Sequence, residues 1–107
     1  MGINAATDPV LVRFRTALDE MYGDRIERVV LFGSRARVDA RPDSDYDVAL
    51  FLRNFDDRWS EVDRLMPVVT DILYDDGAFI HAMPYREGAY RERTPLMREI
   101  RLESLDL

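Results

Sequence analysis

The sequence predicts an α/β (α+β) fold, a small mixed β-sheet of three or more strands packed against helices. Three short runs, Arg25 to Phe32, Tyr46 to Leu52 and Ala78 to Tyr85, are apolar or alternating in the manner of strands. Between and around them, residues 8–22, 58–75 and 95–102 repeat apolar positions at helical spacing. A chain of 107 residues fills one modest core and is too short for two, so residues 1–107 are expected to form one domain.

Each element follows from local chemistry. Asp8 before Pro9 reads as an N-cap with proline in the first turn, and Val10, Leu11, Phe14, Ala17, Leu18, Met21 and Tyr22 mark the buried stripe of a helix that Gly23 ends. Ile26, Val29, Val30, Leu31 and Phe32 form a buried strand that delivers Gly33-Ser34. A short helix from Arg35 to Val38 and a loop from Asp39 to Ser44 are expected next, then the second strand and a loop over Asn54 to Asp57. Arg58 to Asp75 carries Trp59, Val62, Leu65, Met66, Val69, Ile72 and Leu73 at helical intervals, a stripe expected in the core. Pro67 removes a backbone donor inside that helix, which predicts a kink or a break. Gly77 closes it, the third strand follows, and Pro84 and Gly88 are expected to loosen the chain. Pro95 opens a last helix through Leu96, Ile100 and Leu102. This order predicts a sheet covered by helices on one side.

Composition narrows the function. Without cysteine there are neither disulfides nor thiolate metal sites, so a metal must be held by oxygen or by the lone His81, which points to magnesium-type chemistry over zinc. A net charge of −6 argues against a generic nucleic-acid binder, because phosphate neutralisation needs a cationic surface. Every basic residue is arginine, a side chain suited to planar contacts with phosphate and carboxylate, although a bias in codon usage explains the same composition. No apolar run approaches membrane-spanning length and no basic-then-apolar signal opens the chain, so a cytoplasmic location without a membrane partner is the expectation.

The chemistry concentrates between residues 31 and 50. A strand repeats its side-chain direction every second residue, so Asp45 and Asp47 project from one face with Cα atoms roughly 6–7 Å apart. Two like charges held so close repel, and a divalent cation bound between them offsets the repulsion. Gly33, lacking Cβ, lets the backbone approach a bound group closely, and Ser34 opens the next turn with a hydroxyl and backbone N–H groups suited to an anion. Arg37 suits a phosphate contact or a surface ion pair with Asp39 or Asp43, Arg35 is a weaker candidate of the same kind, and Ser44 suits a hydrogen bond that orients Asp45. An EF-hand reading of Asp43, Asp45 and Asp47 fails, since Val48 stands where its glycine is required and Asn54 where its last glutamate belongs.

Gly33-Ser34-Arg35-Ala36-Arg37 followed by Arg41-Pro42-Asp43-Ser44-Asp45-Tyr46-Asp47 resembles the signature of the DNA polymerase beta superfamily of nucleotidyltransferases, and in so short a chain the minimal nucleotidyltransferase family. The resemblance implies a nucleotidyltransferase fold, with Gly33 and Ser34 holding a triphosphate and Arg37 near it. It further implies that Asp45 and Asp47 are the catalytic carboxylates that bind Mg2+, with ATP as co-substrate. Val38 departs from the glycine common at that position. The superfamily often adds a third acid on the next strand, where this chain has His81, open to three readings: metal ligand, proton acceptor or plain strand residue. Asp75 and Asp76 are alternative acids, expected to be exposed at a helix end.

Relatives of this size resemble antitoxins that adenylylate a tyrosine of a HEPN ribonuclease toxin, which implies such a toxin as partner in a hetero-oligomer. Direct nucleic-acid contact is not expected. Two other readings stand beside it: a non-catalytic subunit of nucleotidyltransferase shape that occludes its partner, and a small-molecule nucleotidyltransferase.

Overall fold

Asp8 starts helix α1 (Pro9–Tyr22) by accepting hydrogen bonds from the N–H groups of Val10 and Leu11 at 2.9 and 3.2 Å, and Gly23 caps its end. The computed structural model describes residues 7–36 and 45–107. Leu11, Phe14, Leu18 and Tyr22 recur three or four residues apart and are buried. Each such burial contributes about 1.5–3 kcal/mol relative to exposure, which holds α1 against the sheet.

Four strands form that sheet: β1 (Ile26–Phe32), β2 (Tyr46–Leu52), β3 (Ile80–Arg86) and β4 (Leu105–Asp106), in the order β3-β2-β1-β4. β1 runs antiparallel to β2 and β4, whereas β2 and β3 are parallel. A parallel pair needs a crossover, and helix α2 (Arg58–Asp76) supplies it. Side chains alternate across the sheet. Val29, Leu31, Val48, Leu50 and Ile80 face α1 and α2, where Leu65, Val69 and Ile72 meet them. Val30, Ala49 and Phe51 face the other way and pack with Met97 and Ile100 of helix α3 (Pro95–Glu103).

Several expectations are corrected. Helices cover both faces of the sheet, because β1 and β2 are apolar on both sides and each side requires a cover. Of the kink or break expected at Pro67 the break is absent: α2 runs through it unbroken, and Pro67 lies on its exposed side. Trp59 is 73% exposed, and Met66 and Leu73 are also exposed, so the buried stripe of α2 is narrower than its apolar composition. Pro84 lies inside β3 and does not loosen it. Tyr46 donates to the Phe79 carbonyl and Glu87 to the Leu52 carbonyl, so the odd-numbered β3 residues bond β2 and the N–H that proline lacks falls on the open edge. β3 starts at Ile80, two residues after the expected Ala78. The short helix expected over Arg35 to Val38 starts earlier, as a 3-10 turn over Gly33–Ala36, and its remainder and the loop expected from Asp39 to Ser44 lie outside the described residues. Two-residue β4 was not anticipated, being too short to show alternation. No helix among the described residues is long and apolar enough to cross a membrane.

Candidate functional site

At one end of the sheet, β1 delivers Gly33 beside β2, with Phe32 paired to Asp47 in the ladder. Gly33 has φ +76°, in the left-handed region, and a Cβ built there would lie 2.5 Å from Asp47 Oδ2. No side chain fits that gap. Two independent constraints therefore require glycine at this position: the backbone conformation and the carboxylate packed against its Cα. The next three residues continue the 3-10 turn, so the backbone of Ser34 follows directly from the point where Asp47 touches the chain.

Asp47 shares its side of β2 with Ala49 and Phe51, and so points toward the face covered by α3. Its side chain is about one third exposed, while Asp45, just before the strand, is exposed. Parallel pairing sets His81 directly opposite Asp47, with Nδ1 3.5 Å from Oδ1. Thus one carboxylate oxygen lies against bare glycine backbone and the other faces an imidazole. Burial pushes the Asp47 carboxyl above the usual carboxylate range, the charge of His81 and its hydrogen-bonding contact pull it back, and Asp45 adds a smaller upward push.

Tyr46 points to the opposite face and anchors the motif. Its buried hydroxyl donates to Asp8 Oδ2 at 3.0 Å, while Asp8 Oδ1 caps α1. The guanidinium of Arg35 lies 4.3 Å above the ring centroid of Tyr46. The start of α1, the middle of the acidic motif and the turn after Gly33 are therefore tied together. Sequence reasoning missed this link, since a contact between residues 8 and 46 leaves no mark on either segment alone.

The structure brings Gly33, Asp45, Asp47 and His81 to one end of the sheet. Arg37, Val38, Asp39, Asp43 and Ser44 lie outside the described residues. Asp75 and Asp76 lie on the last turn of α2, which covers the face of the sheet opposite Asp47, and Arg13 of α1 holds them at 2.8 and 3.0 Å. That pairing on the surface accounts for both acids. Among the described residues, no three Asp, Glu or His side chains are gathered into a ready cation cage. Still, the donors fit a divalent cation: a partly buried carboxylate with its charge disfavoured, a second carboxylate two residues away, and a backbone cradle that a Cβ would fill.

Comparison with known proteins identifies the family. Residues 11–102 match the profile of the family described as nucleotidyltransferase domain. A chain from the crystal structure of a mutant MntA-HepT toxin–antitoxin superposes with a TM-score of 0.57 at 11% identity, covering 97% of this chain and 72% of the other. A Sulfolobus solfataricus protein assigned as a nucleotidyltransferase gives a TM-score of 0.48 at 17% identity, with 97% and 86% covered. No curated protein matches the chain. At 11% identity the first of these likenesses speaks for the fold alone.

Proposed function

The chain belongs to the nucleotidyltransferase domain family, and from that premise we propose that it transfers a nucleoside monophosphate, AMP from ATP, to a hydroxyl group of a partner protein. The observation that carries this reading is the contact between Gly33 and Asp47: a glycine whose Cβ would strike the carboxylate, at the junction of the turn and the acidic strand. In the proposed reaction the acceptor oxygen bonds to the α-phosphorus, the bond from that phosphorus to the bridging oxygen breaks, and pyrophosphate leaves. The acceptor proton passes to solvent.

Asp45 and Asp47 would hold Mg2+, which when bound supplies charge neutralisation on the phosphates and lowers the pKa of the attacking hydroxyl. Gly33 and Ser34 hold the triphosphate through backbone donors of the turn, and Arg37 contacts its phosphates. Asp45 is exposed at the start of the strand, two residues from Asp47. Tyr46, fixed by Asp8, holds the strand between the two acids in place.

The likeness to a chain of a toxin–antitoxin structure supports a toxin as the partner, and the family resemblance supports a tyrosine of a HEPN-type ribonuclease as acceptor. Incubating the purified chain with labelled ATP, Mg2+ and the product of the neighbouring gene tests this. The account expects label on the partner and none with an Asp45→Asn/Asp47→Asn double variant; equal labelling by that variant overturns the assignment. The lack of a ready cage among the described residues favours one other reading, a non-catalytic subunit that occludes its partner. Under that reading the double variant neutralises the partner as well as the parent chain does.

A further inference from the structure

We infer that the exposed apolar side of α2 is a docking surface for a second copy of this chain, the two α2 helices packing antiparallel about a two-fold axis at Met66.

Spacing carries the argument first. Trp59, Met66 and Leu73 stand seven residues apart on α2, with exposures of 73%, 49% and 42%. Val62 and Val69 fall between them, so this side of the helix reads as the a and d positions of a heptad, each one apolar, with Pro67 at a b position outside the seam. Leu65 and Ile72 meet the sheet. The stripe instead borders a groove of about 360 Å³ between α2 and the edge strand β3, where Phe79 and Met83 form the other wall. The pattern is symmetric about Met66, seven residues from Trp59 on one side and seven from Leu73 on the other. A two-fold axis there lays Met66 on its own counterpart and each Trp59 on the Leu73 of the other copy, so one stripe complements itself.

Area and charge fit the same occupant. With Phe79, 42% exposed at the groove, the stripe leaves roughly 400 Å² of apolar surface open on each copy, nearly half of it from Trp59. A patch of this size on a small chain marks a contact surface. Two such patches bury roughly 800 Å², and since apolar area makes up about 65% of a homodimer interface, the total reaches ~1,200 Å², the lower bound of a specific interface. A net charge of −6 makes copies of the chain repel, yet no acid stands in the stripe. Antiparallel packing also sets Arg58, at the start of one α2, near the last turn of the other, the negative end of that helix's dipole. Phe79 stacks beside His81 with ring centroids 6.5 Å apart, so the docked copy reaches the rim of the candidate site.

Trp59 is the sole tryptophan of the chain, and its fluorescence reports this surface and no other. Sedimentation of the full chain over a dilution series is expected to show a reversible dimer with a dissociation constant of about 1–100 µM, in keeping with an interface at the lower size bound. Trp59 emission should shift to shorter wavelength along the same curve. Met66→Lys and Met66→Glu each set like charges on the axis and should weaken the dimer about a hundredfold or more. Mixed in equal amounts, the two variants should restore it as a heterodimer, because position 66 meets itself under this symmetry. A chain still monomeric at about 1 mM overturns the inference, as does a dimer that either variant leaves intact. Loss of the dimer in both variants without recovery in the mixture overturns the axis at Met66. If Trp59 emission shifts only when the product of the neighbouring gene is added, the surface serves that partner and the second copy is overturned as its occupant.

Discussion

Gly33→Ala is the most informative single perturbation, because its effect divides into two parts that can be measured separately. At φ +76° an L-residue pays for the left-handed region, about 1–2 kcal/mol. The added Cβ also falls 2.5 Å from Asp47 Oδ2, against the 3.4 Å at which ordinary contact begins, so the carboxylate must move by nearly 1 Å. Overpacking of this kind costs about 1–3 kcal/mol. In an Asp47→Ala background the clash disappears, because Asp47 Cβ lies 3.5 Å from the built Cβ, while the backbone strain remains. Urea unfolding of the parent, both single variants and the double variant gives the coupling directly. The expected coupling is about 1–3 kcal/mol, with a residual cost of about 1–2 kcal/mol for Gly33→Ala beside Ala at 47. Equal costs in the two backgrounds would refute the claim that glycine is needed there for the carboxylate's sake.

The remaining predictions concern the scaffold. Tyr22 has a buried hydroxyl with no hydrogen-bond partner among the described residues, and burial pushes its pKa from 10.0 up to about 12. In the unfolded chain the phenol ionises first, so this group's stabilising contribution is complete below pH 10 and is lost toward pH 12, a fall of about 2 kcal/mol; Tyr22→Phe should remove that share of the alkaline loss and raise stability at pH 7 by about 1 kcal/mol, and an unchanged alkaline profile would contradict it. Glu61 is buried and receives Arg25 at 2.5 Å, so Glu61→Ala should cost about 2 kcal/mol in urea unfolding, less than for a fully buried pair because Arg25 is partly exposed. Pro67→Ala should give α2 back a backbone hydrogen bond and raise the thermal midpoint, worth about 1–3 kcal/mol; a lowered midpoint would show that the proline is packed to advantage.

Local chemistry made most of the framework legible. Asp8, Pro9 and Gly23 bound α1 because caps and proline act within a few residues, and the 3.6-residue repeat picked out Leu11, Phe14, Leu18 and Tyr22. The two-residue repeat on β2 likewise separated Tyr46, Val48 and Leu50 from Asp47, Ala49 and Phe51. What remained hidden depends on neighbours distant in sequence. Trp59 and Leu65 both belong to an apolar stripe, yet only Leu65 meets the sheet, and nothing in the helix pattern says how wide the contact is. The tolerance of Pro84 follows from β3 lying at an edge, which is a property of the strand order and not of the strand. At the site, the face of His81 was within reach, since alternation from Ile80 and Ala82 turns it to the other side of the sheet. Its register against β2 was not.

The claim on which everything else depends is that Asp45 and Asp47 hold a divalent cation together with a nucleotide at the Gly33-Ser34 turn. Isothermal titration of the chain with Mg2+ and a non-hydrolysable ATP analogue tests it most directly. The account predicts saturable binding that requires the metal and disappears in Asp45→Asn/Asp47→Asn. Binding of equal strength in that variant, or none by the parent chain either alone or with its partner, would contradict it.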